Sequence, residues 1–356
     1  MPDRLRSEEM LSALRLVAPG TGLREGLDRI LHAGKGALIV VGDGPDVLAV
    51  CSGGFLLDAE FTPQRLSELA KMDGAIILAG DTRRVARANV HLVPDPDVPT
   101  SETGTRHRTA ERVARQLGVP VITVSEDRSV VAIHRSVLKR VLEPTSRVLD
   151  RADQALQILE RYKVRLDVVS DKLSSLEIED LVTVRDVATL LQRSEMVRRV
   201  ADEVEGYGVE LGTDGRMVML QLDELIAGYD EVRRFVVADY ATSDGWAVAN
   251  VLRRLASIDD ETLLDVSAVA SVLHLPGATS GDHALSPRGY RLLSRIPRIP
   301  PPVAAHVVEH FGSLQKIMRA TVSELVQAEG VGDARARSIK EGLSRAAESV
   351  VLGRYT

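Results

Sequence analysis

Residues 104–111 read Gly104-Thr105-Arg106-His107-Arg108-Thr109-Ala110-Glu111 and combine a helix start with three basic side chains. After the break at Gly104, apolar residues recur at helical spacing, at Ala110, Val113, Ala114 and Leu117. This spacing predicts a helix that starts near Thr105 and buries its apolar stripe. The first turn carries two arginines and a histidine, although a helix N-terminus is already partly positive and favours Asp or Glu.

The basic first turn of this helix predicts an anion site. Free backbone N–H groups, the helix dipole and two guanidinium groups at one helix end together favour phosphate. The alternative is a solvated basic turn that tolerates a strain on the order of a few tenths of a kcal/mol. The residues of the turn alone leave both interpretations open.

A second motif lies upstream, where Asp73-Gly74 precedes a short apolar run. That run is Ala75-Ile76-Ile77-Leu78-Ala79, and it predicts a buried strand with the Asp-Gly pair at its N-terminal edge. The glycine lets backbone come close to a ligand. The carboxylate can hold a metal ion or accept a proton from a hydroxyl group. The alternative for an Asp-Gly pair at a strand end is a simple turn.

Together the two motifs resemble the signature motifs of diadenylate cyclases. The matching residues are Asp73-Gly74-Ala75 and Arg106-His107-Arg108, set in Asn89-Val90-His91-Leu92-Val93-Pro94 and in residues 104–112. The resemblance extends over essentially the whole chain, and both motifs are intact. It implies that two ATP molecules condense into cyclic di-AMP and release two pyrophosphates. Such phosphoryl transfer depends mainly on positioning and charge neutralisation.

The resemblance also implies roles for single residues. Asp73 would bind Mg²⁺ or Mn²⁺ and help activate the ribose 3′-hydroxyl, and Arg108 would share in catalysis. Gly74 would line the nucleoside pocket, together with the backbone of Leu92. The triphosphate would be held by Thr105, Arg106, His107, Arg108 and Thr109.

Composition limits the class of protein. The 356 residues suffice for two or three domains, and the 44% hydrophobic content supports cores that must be aliphatic, because aromatics make up 3%. The single cysteine, Cys51, excludes an internal disulfide and fits a reducing cytoplasm. No apolar run reaches the length of a membrane span, so we expect no membrane partner. No P-loop, dinucleotide fingerprint or zinc spacing occurs either, so another kind of site must hold the triphosphate.

The order of patterns predicts three domains. Residues 1–140 mix helices and strands, which indicates an α/β nucleotide-binding domain with a mixed central sheet. It begins with two helices within residues 8–33, followed by a strand at 37–41 that we expect to pair with 48–50 as a hairpin. Residues 141–285 repeat Leu, Val and Ile at helical spacing and predict an all-α spine, with Tyr240 and Trp246 in its core. Residues 286–356 form the third domain.

The third domain is predicted to bind DNA. Its segment 325–337 resembles the hairpin of a helix-hairpin-helix motif, a turn that presents backbone N–H groups to DNA phosphate without reading bases. Residues 289–356 hold ten Lys or Arg against six Asp or Glu, whereas the whole chain has a net charge of −6. The expected DNA contacts are Gly330, Gly332, Arg335, Arg337 and Lys340. An earlier segment, 296–303, resembles a degenerate first hairpin whose prolines donate no N–H.

The resemblance further implies a homo-oligomer of eight chains in the cytoplasm, associated with the nucleoid. It implies binding to branched DNA without sequence specificity, and suppression of synthesis by junctions. A different function remains open, namely a DNA-binding scaffold whose nucleotide site senses ATP without turnover. The intact Asp73 favours the enzyme, because phosphate binding alone does not need that carboxylate.

Overall fold

The structure, a computed structural model, describes residues 2–240, 247–275, 277, 278 and 280–352. Two compact units make up the chain, Met1–Ala155 with Glu203–Gln221 and Leu156–Asp202 with Leu222–Thr356. The bounds of the three predicted domains stay a prediction. Tyr240 is 5% exposed, as expected of a core residue, and Trp246 lies outside the described residues.

The first unit is built on a sheet flanked by helices. Its elements are α1 Pro2–Leu16, α2 Gly22–His32, β1 Ala37–Val41, α3 Pro45–Ala49, β2 Cys51–Ser52, β3 Phe55–Glu60, α4 Pro63–Leu69, β4 Ala75–Leu78, β5 Arg84–Leu92, α5 Thr105–Leu117, β6 Val121–Ser125, β7 Val130–Arg135 and β8 Leu138–Val141. The predicted strands at 37–41 and near 75–79 and the helix from Thr105 are confirmed.

The sheet has eight strands in the order β2-β5-β4-β1-β6-β7-β8, and β3 pairs with β5. Strand β1 runs parallel to β4 and antiparallel to β6, which confirms the prediction of a mixed sheet. One face is covered by a core that includes Leu27 of α2 and Leu66 of α4, and the other by a core that includes Ala110 and Val113 of α5. Burial of a single leucine side chain such as Leu27 contributes about 1.5–3 kcal/mol, so both faces of the sheet are anchored by their helices.

The predicted hairpin between residues 37–41 and 48–50 is wrong. Residues Pro45–Ala49 form the short helix α3, and β1 pairs instead with β4 and β6. Pro45 occupies the first turn of α3, with Asp46 next to it, and both residues favour a helix start. The strand β3, which the sequence pattern did not indicate, follows this helix and the short strand β2.

Helices dominate the rest of the chain, as predicted. They are α6 Thr145–Glu179, α7 Val184–Leu211, α8 Arg216–Ile226, α9 Tyr229–Tyr240, α10 Val248–Ala256, α11 Asp260–Leu264, α12 Val266–Val272, α13 Tyr290–Ser294, α14 Pro301–Phe311, α15 Leu314–Arg319, α16 Val322–Leu325 and α17 Asp333–Leu352. The two longest, α6 and α7, have 35 and 28 residues. Among the residues that the structure describes, no helix has both the length and the apolar character to cross a membrane.

A buried polar network in the second unit fixes the start of α13. Arg291 and Glu177 are each 1% exposed, and the Arg291 Nε donates to Glu177 Oε1 at 3.0 Å. The Asp239 carboxylate accepts the backbone N–H groups of Gly289, Tyr290 and Arg291 at 2.7–3.0 Å. Burial, and then the nearby Glu177 charge, raise the pKa of Asp239 to about 7. Because breaking a buried ion pair costs about 3–5 kcal/mol, α13 is held firmly on these helices.

Candidate functional site

The sheet brings several predicted site residues to one edge. Strands β1 and β4 are parallel with Leu38 beside Ala75, so Gly36 and Asp73, each two residues earlier, lie at the edge of the sheet where the two strands begin. Strand β5 is antiparallel to β4 with Val90 opposite Ala75, so its last residue, Leu92, reaches the same place. We call this place the Asp73 edge and define it by Asp73, Gly74, Gly36 and Leu92.

Asp73 itself is exposed, and among the described residues its carboxylate has no hydrogen-bond or ion-pair partner. Gly74 has a different reason to be glycine from the one expected. Its φ is +96°, and an added Cβ would lie 2.9–3.0 Å from backbone atoms of Asn89 and Val90. The neighbouring strand therefore requires this glycine, whatever ligand is present. Leu92 is 5% exposed, so at this edge it offers its backbone and not its side chain.

Helix α5 points its basic turn at the same edge. A Cβ added to Gly36 would lie 2.1 Å from Arg106 Nη1, so the Arg106 guanidinium lies directly over the residue that precedes β1. His107 Nδ1 is 3.1 Å from the hydroxyl of Thr123, on the strand next to β1. These two contacts place the start of α5 over the beginning of β1, one strand away from β4 and Asp73. Sequence patterns had singled out neither Gly36 nor Thr123, because both contacts join distant parts of the chain.

The first turn of α5 holds no acidic residue that could balance its charge, and the nearby Glu102 carboxylate is paired with Lys139. Gly104 occupies the N-cap without a side-chain cap, and the first turn contains no acidic residue. Thr105 and Arg108 are exposed, and Thr109 is half-buried. Among the described residues the Arg106 and Arg108 guanidinium groups make no hydrogen bond or ion pair. Free N–H groups and unpaired arginines at one helix end are the features of an anion site.

His107 is the third basic side chain of the turn, and an imidazole can be neutral or charged. Burial lowers the pKa of His107 from its ordinary value, and the nearby Glu102 carboxylate opposes this only in part. The Thr123 hydroxyl lies 3.4 Å from the Ala132 carbonyl and donates to it, so we assign the His107 Nδ1–H as the donor to Thr123. Nε2 then carries the lone pair in the free protein. A phosphate beside the ring would favour the imidazolium and make Nε2 a donor.

Glu111 is a positioning residue whose role the sequence did not reveal. It is 8% exposed, and its Oε2 accepts the Thr100 hydroxyl at 2.6 Å and the Ser101 N–H at 2.9 Å. Arg115 Nη2 donates to Oε1 at 2.6 Å. Burial would raise the pKa of Glu111, but these hydrogen bonds and the Arg115 charge outweigh it and lower that pKa. The carboxylate thus ties down the loop that leads into Gly104, and its position on the buried stripe was the available signal.

The second predicted hairpin is present between α16 and α17, and its two glycines differ. Gly330 has φ +77°, and an added Cβ would lie 3.3 Å from Val303 Cγ2, so the fold itself requires it. Gly332 would meet nothing within 4 Å, so its surface is open to an approaching partner. Arg335 is exposed and donates to the Gly330 carbonyl at 2.6 Å. Arg337 is exposed and has no partner among the described residues.

Lys340, one of the predicted DNA contacts, also makes hydrogen bonds within the protein. Its Nζ donates to the carbonyls of Met318 and Ala320, both at 2.8 Å, where α15 ends. The last carbonyls of a helix lack intrahelical partners and carry partial negative charge, so an ammonium group stabilises them. Lys340 therefore stabilises the end of α15, and its contact with DNA stays a prediction.

Comparisons with known proteins cover these same regions. Residues 24–137 match the model described as DisA bacterial checkpoint controller nucleotide-binding, and residues 142–281 match the DisA bacterial checkpoint controller linker region. Residues 290–345 match the SAM-like Helix-hairpin-helix tandem. Among solved structures, DacA from Staphylococcus aureus aligns with 40% of this chain and 89% of its own at 20% identity. Its TM-score of 0.26 is too low to bear on the fold.

Full-length relatives are much closer. The DNA integrity scanning protein DisA of Acidothermus cellulolyticus is 54% identical over 99% of this chain and 97% of its own. Its counterpart in Streptomyces avermitilis is 53% identical over 97% and 94%, and that in Kineococcus radiotolerans is 52% identical over the whole of both chains. Since the identity exceeds one half over nearly the full length, the chain belongs to the DNA integrity scanning protein family of diadenylate cyclases.

Proposed function

We propose that the chain condenses two ATP molecules into cyclic di-AMP at the Asp73 edge, with release of two pyrophosphates. One observation supports the proposal: at the start of two adjacent strands lie Asp73, whose carboxylate has no partner among the described residues, and the basic first turn of α5, which holds no acidic residue. The turn suits a triphosphate. The carboxylate suits the ribose 3′-hydroxyl that attacks the α-phosphate of the other ATP.

The chain's own groups divide the work. Arg106 and Arg108 neutralise phosphate oxygens by charge-assisted hydrogen bonds, and the free N–H groups of α5 add donors. Protonated His107 supplies one more donor through Nε2. The backbone at Gly74 and Leu92 borders the nucleoside. Held in this way, two reacting atoms gain the rate advantage of proximity and orientation.

A divalent ion, Mg²⁺ or Mn²⁺, fits this site. Within the described residues no group of three His, Cys, Asp or Glu side chains can hold a metal by itself. Mg²⁺ is commonly bound by one or two carboxylates together with substrate phosphates, and Asp73 offers one exposed carboxylate. Such an ion would neutralise charge that develops on the phosphates. We therefore expect metal and nucleotide to bind together.

Incubation with ATP and Mn²⁺, followed by identification of the product by mass, tests the proposed reaction. We expect cyclic di-AMP and two pyrophosphates for each product molecule. ATP that binds but is recovered unchanged would favour the ATP-sensing scaffold instead. The same assay with Mg²⁺ compares the two metals.

Replacing Arg108 with Ala separates an anion site from a structural turn. Since Arg108 is exposed, unpartnered and at the wrong helix end for its charge, we expect the nucleotide-free variant to gain about 0.3–1 kcal/mol in free energy of unfolding. Its ATP affinity should fall. The matched control is Arg115→Ala in the last turn of α5, which loses a bond to Glu111 and should be destabilised. Urea unfolding measures both, and a destabilised Arg108→Ala would mean that the arginine is structural.

We further propose that the C-terminal module, residues 286–356, binds branched DNA without sequence specificity and that this binding suppresses synthesis. The second hairpin supports the first part, because backbone N–H groups before α17 contact phosphates and read no bases. The relatives' name, DNA integrity scanning protein, supports a preference for irregular DNA. We also propose an even-numbered homo-oligomer, with eight chains as the resemblance implies.

Replacing Gly332 with Val tests the hairpin. A Cβ there meets nothing within 4 Å among the described residues, so the fold should be kept, while the added bulk blocks a phosphate from the backbone donors. We expect the affinity for a four-way junction to fall about tenfold or more, since several hydrogen bonds to charged groups are lost. Basal cyclase activity should stay unchanged. An unaltered salt titration of junction binding would give the hairpin a packing role.

A further inference from the structure

The first hairpin of the C-terminal module, residues 296–300, repeats the backbone of the second, residues 328–332. Arg298 has φ +68° and Gly330 has φ +77°, so a left-handed residue occupies the third position of both turns. The next residue is buried in both, with Ile299 at 8% and Val331 at 5% exposed. After one further residue the helices α14 and α17 begin. The two turns therefore have the same local backbone structure, although their sequences differ.

The two hairpins also pack into one module. A Cβ on Gly342 of α17 would come within 3.0 Å of Ile296, so the first hairpin rests on the helix that follows the second. In return, Val303 of α14 lies against Gly330, so the second hairpin touches the helix that follows the first. Both hairpins belong to one packed core, which includes Ile299 and Val331.

The first hairpin lacks the backbone donors of the second. It runs into Pro300, Pro301 and Pro302, and none of these residues has an N–H group. At the equivalent positions the second hairpin has Gly332, Asp333 and Ala334, whose N–H groups are free at a helix start. A phosphate cannot be held at the first hairpin in the manner of the second.

Arg298 is the residue that replaces those donors. A side chain with a Cβ is disfavoured in the left-handed region, where glycine is the ordinary choice. Arg298 is nevertheless exposed, and among the described residues its guanidinium has no hydrogen bond or ion pair that would compensate. No described group of the protein is therefore the partner of this guanidinium. An external anion would provide one, because guanidinium binds phosphate in a bidentate manner.

We propose that Arg298 is a DNA-phosphate contact and that the module grips the DNA backbone at two adjacent points. The first hairpin uses a side-chain guanidinium, and the second uses backbone N–H groups. The inference rests on the proposed DNA binding of the module, and it adds a residue and a second contact to it. Since the contact is to phosphate, it strengthens binding to every DNA sequence alike.

The test uses the full-length protein and a four-way DNA junction. Arg298→Gly removes the charge and also relieves the left-handed strain. We expect the affinity to fall about 3- to 10-fold and the slope of log affinity against log salt to become shallower by about 0.9, as for one lost phosphate contact. The thermal midpoint without DNA should stay equal or rise. Arg298→Lys keeps the charge and should bind more tightly than Arg298→Gly.

Two further variants complete the experiment. Arg319→Ala also removes one positive charge, at the last residue of α15. The carbonyl of the preceding residue is contacted by Lys340, which lies about 10 Å along α17 from the second hairpin. We therefore expect Arg319→Ala to bind DNA as the wild type does. Gly332→Val reports on the second hairpin. Wild-type binding by Arg298→Gly together with weakened binding by Gly332→Val would overturn the Arg298 contact and leave the proposed DNA binding intact. Wild-type binding by both variants would overturn the Arg298 contact and the proposed DNA binding together. A lowered thermal midpoint in Arg298→Gly would mean that the arginine is structural, and it would overturn the contact.

Discussion

An Asp73→Asn chain is expected to lose cyclic di-AMP synthesis by about 100-fold or more, because a positioned acid–base group contributes roughly 10²–10⁴ in rate. Asparagine has almost the same shape but neither the charge that binds a divalent cation nor the basicity that accepts a proton. The fold should be unaffected, since Asp73 is exposed and has no partner among the described residues. Initial rates with ATP and Mn²⁺, together with thermal unfolding, measure both effects.

The matched control is Asp46→Asn. Asp46 is an exposed carboxylate too, but it lies in α3, beyond the opposite end of β1. We expect this variant to keep its activity, so that a general loss of negative charge cannot explain the result for Asp73. Near-native synthesis by Asp73→Asn, with unchanged unfolding, would remove Asp73 from the chemistry.

The elements that carry this site were predictable because their signals are local. Gly104 and the apolar stripe after it indicate a helix from Thr105, and α5 begins at Thr105. A short run of aliphatic residues indicates the strand after Asp73, and these residues are buried in the structure. Their meeting at one edge was not predictable, because the pairing of β1 with β4 and the position of Arg106 over Gly36 join residues far apart in sequence.

Other features were predicted wrongly or missed for equally physical reasons. The expected hairpin partner at 48–50 was wrong. This short apolar run resembles a strand, whereas the only signal for a helix is Pro45, which marks a single turn. Strand β3 was missed, because five of its six residues are exposed and include Phe55 and Leu56, so no alternation marks it. The contacts of Lys340 with the carbonyl groups of Met318 and Ala320 were missed, because they join residues 22 and 20 positions apart in the sequence.

The reaction requires more groups than one chain provides. Each ATP must act twice, since its 3′-hydroxyl attacks and its α-phosphate is attacked. One copy of Asp73 and one basic turn hold one ATP, so the in-line geometry needs a second, inverted site from another chain. A two-fold axis between nucleotide-binding domains supplies that site with no further sequence. The product would thus be made only by face-to-face pairs of chains.

Mixing intact and damaged chains tests such pairs. If wild-type and Asp73→Asn chains are unfolded together, refolded and assayed as an equal mixture, random pairing leaves about one quarter of the activity of an all-wild-type sample, whereas independent sites would leave about half. A mixture with Asp46→Asn should keep full activity. A mixture of Asp73→Asn with Arg108→Ala should stay inactive, because every pair contains a damaged site. Activity that falls in simple proportion to the wild-type fraction, or an active species that light scattering finds to be monomeric, would contradict the paired site.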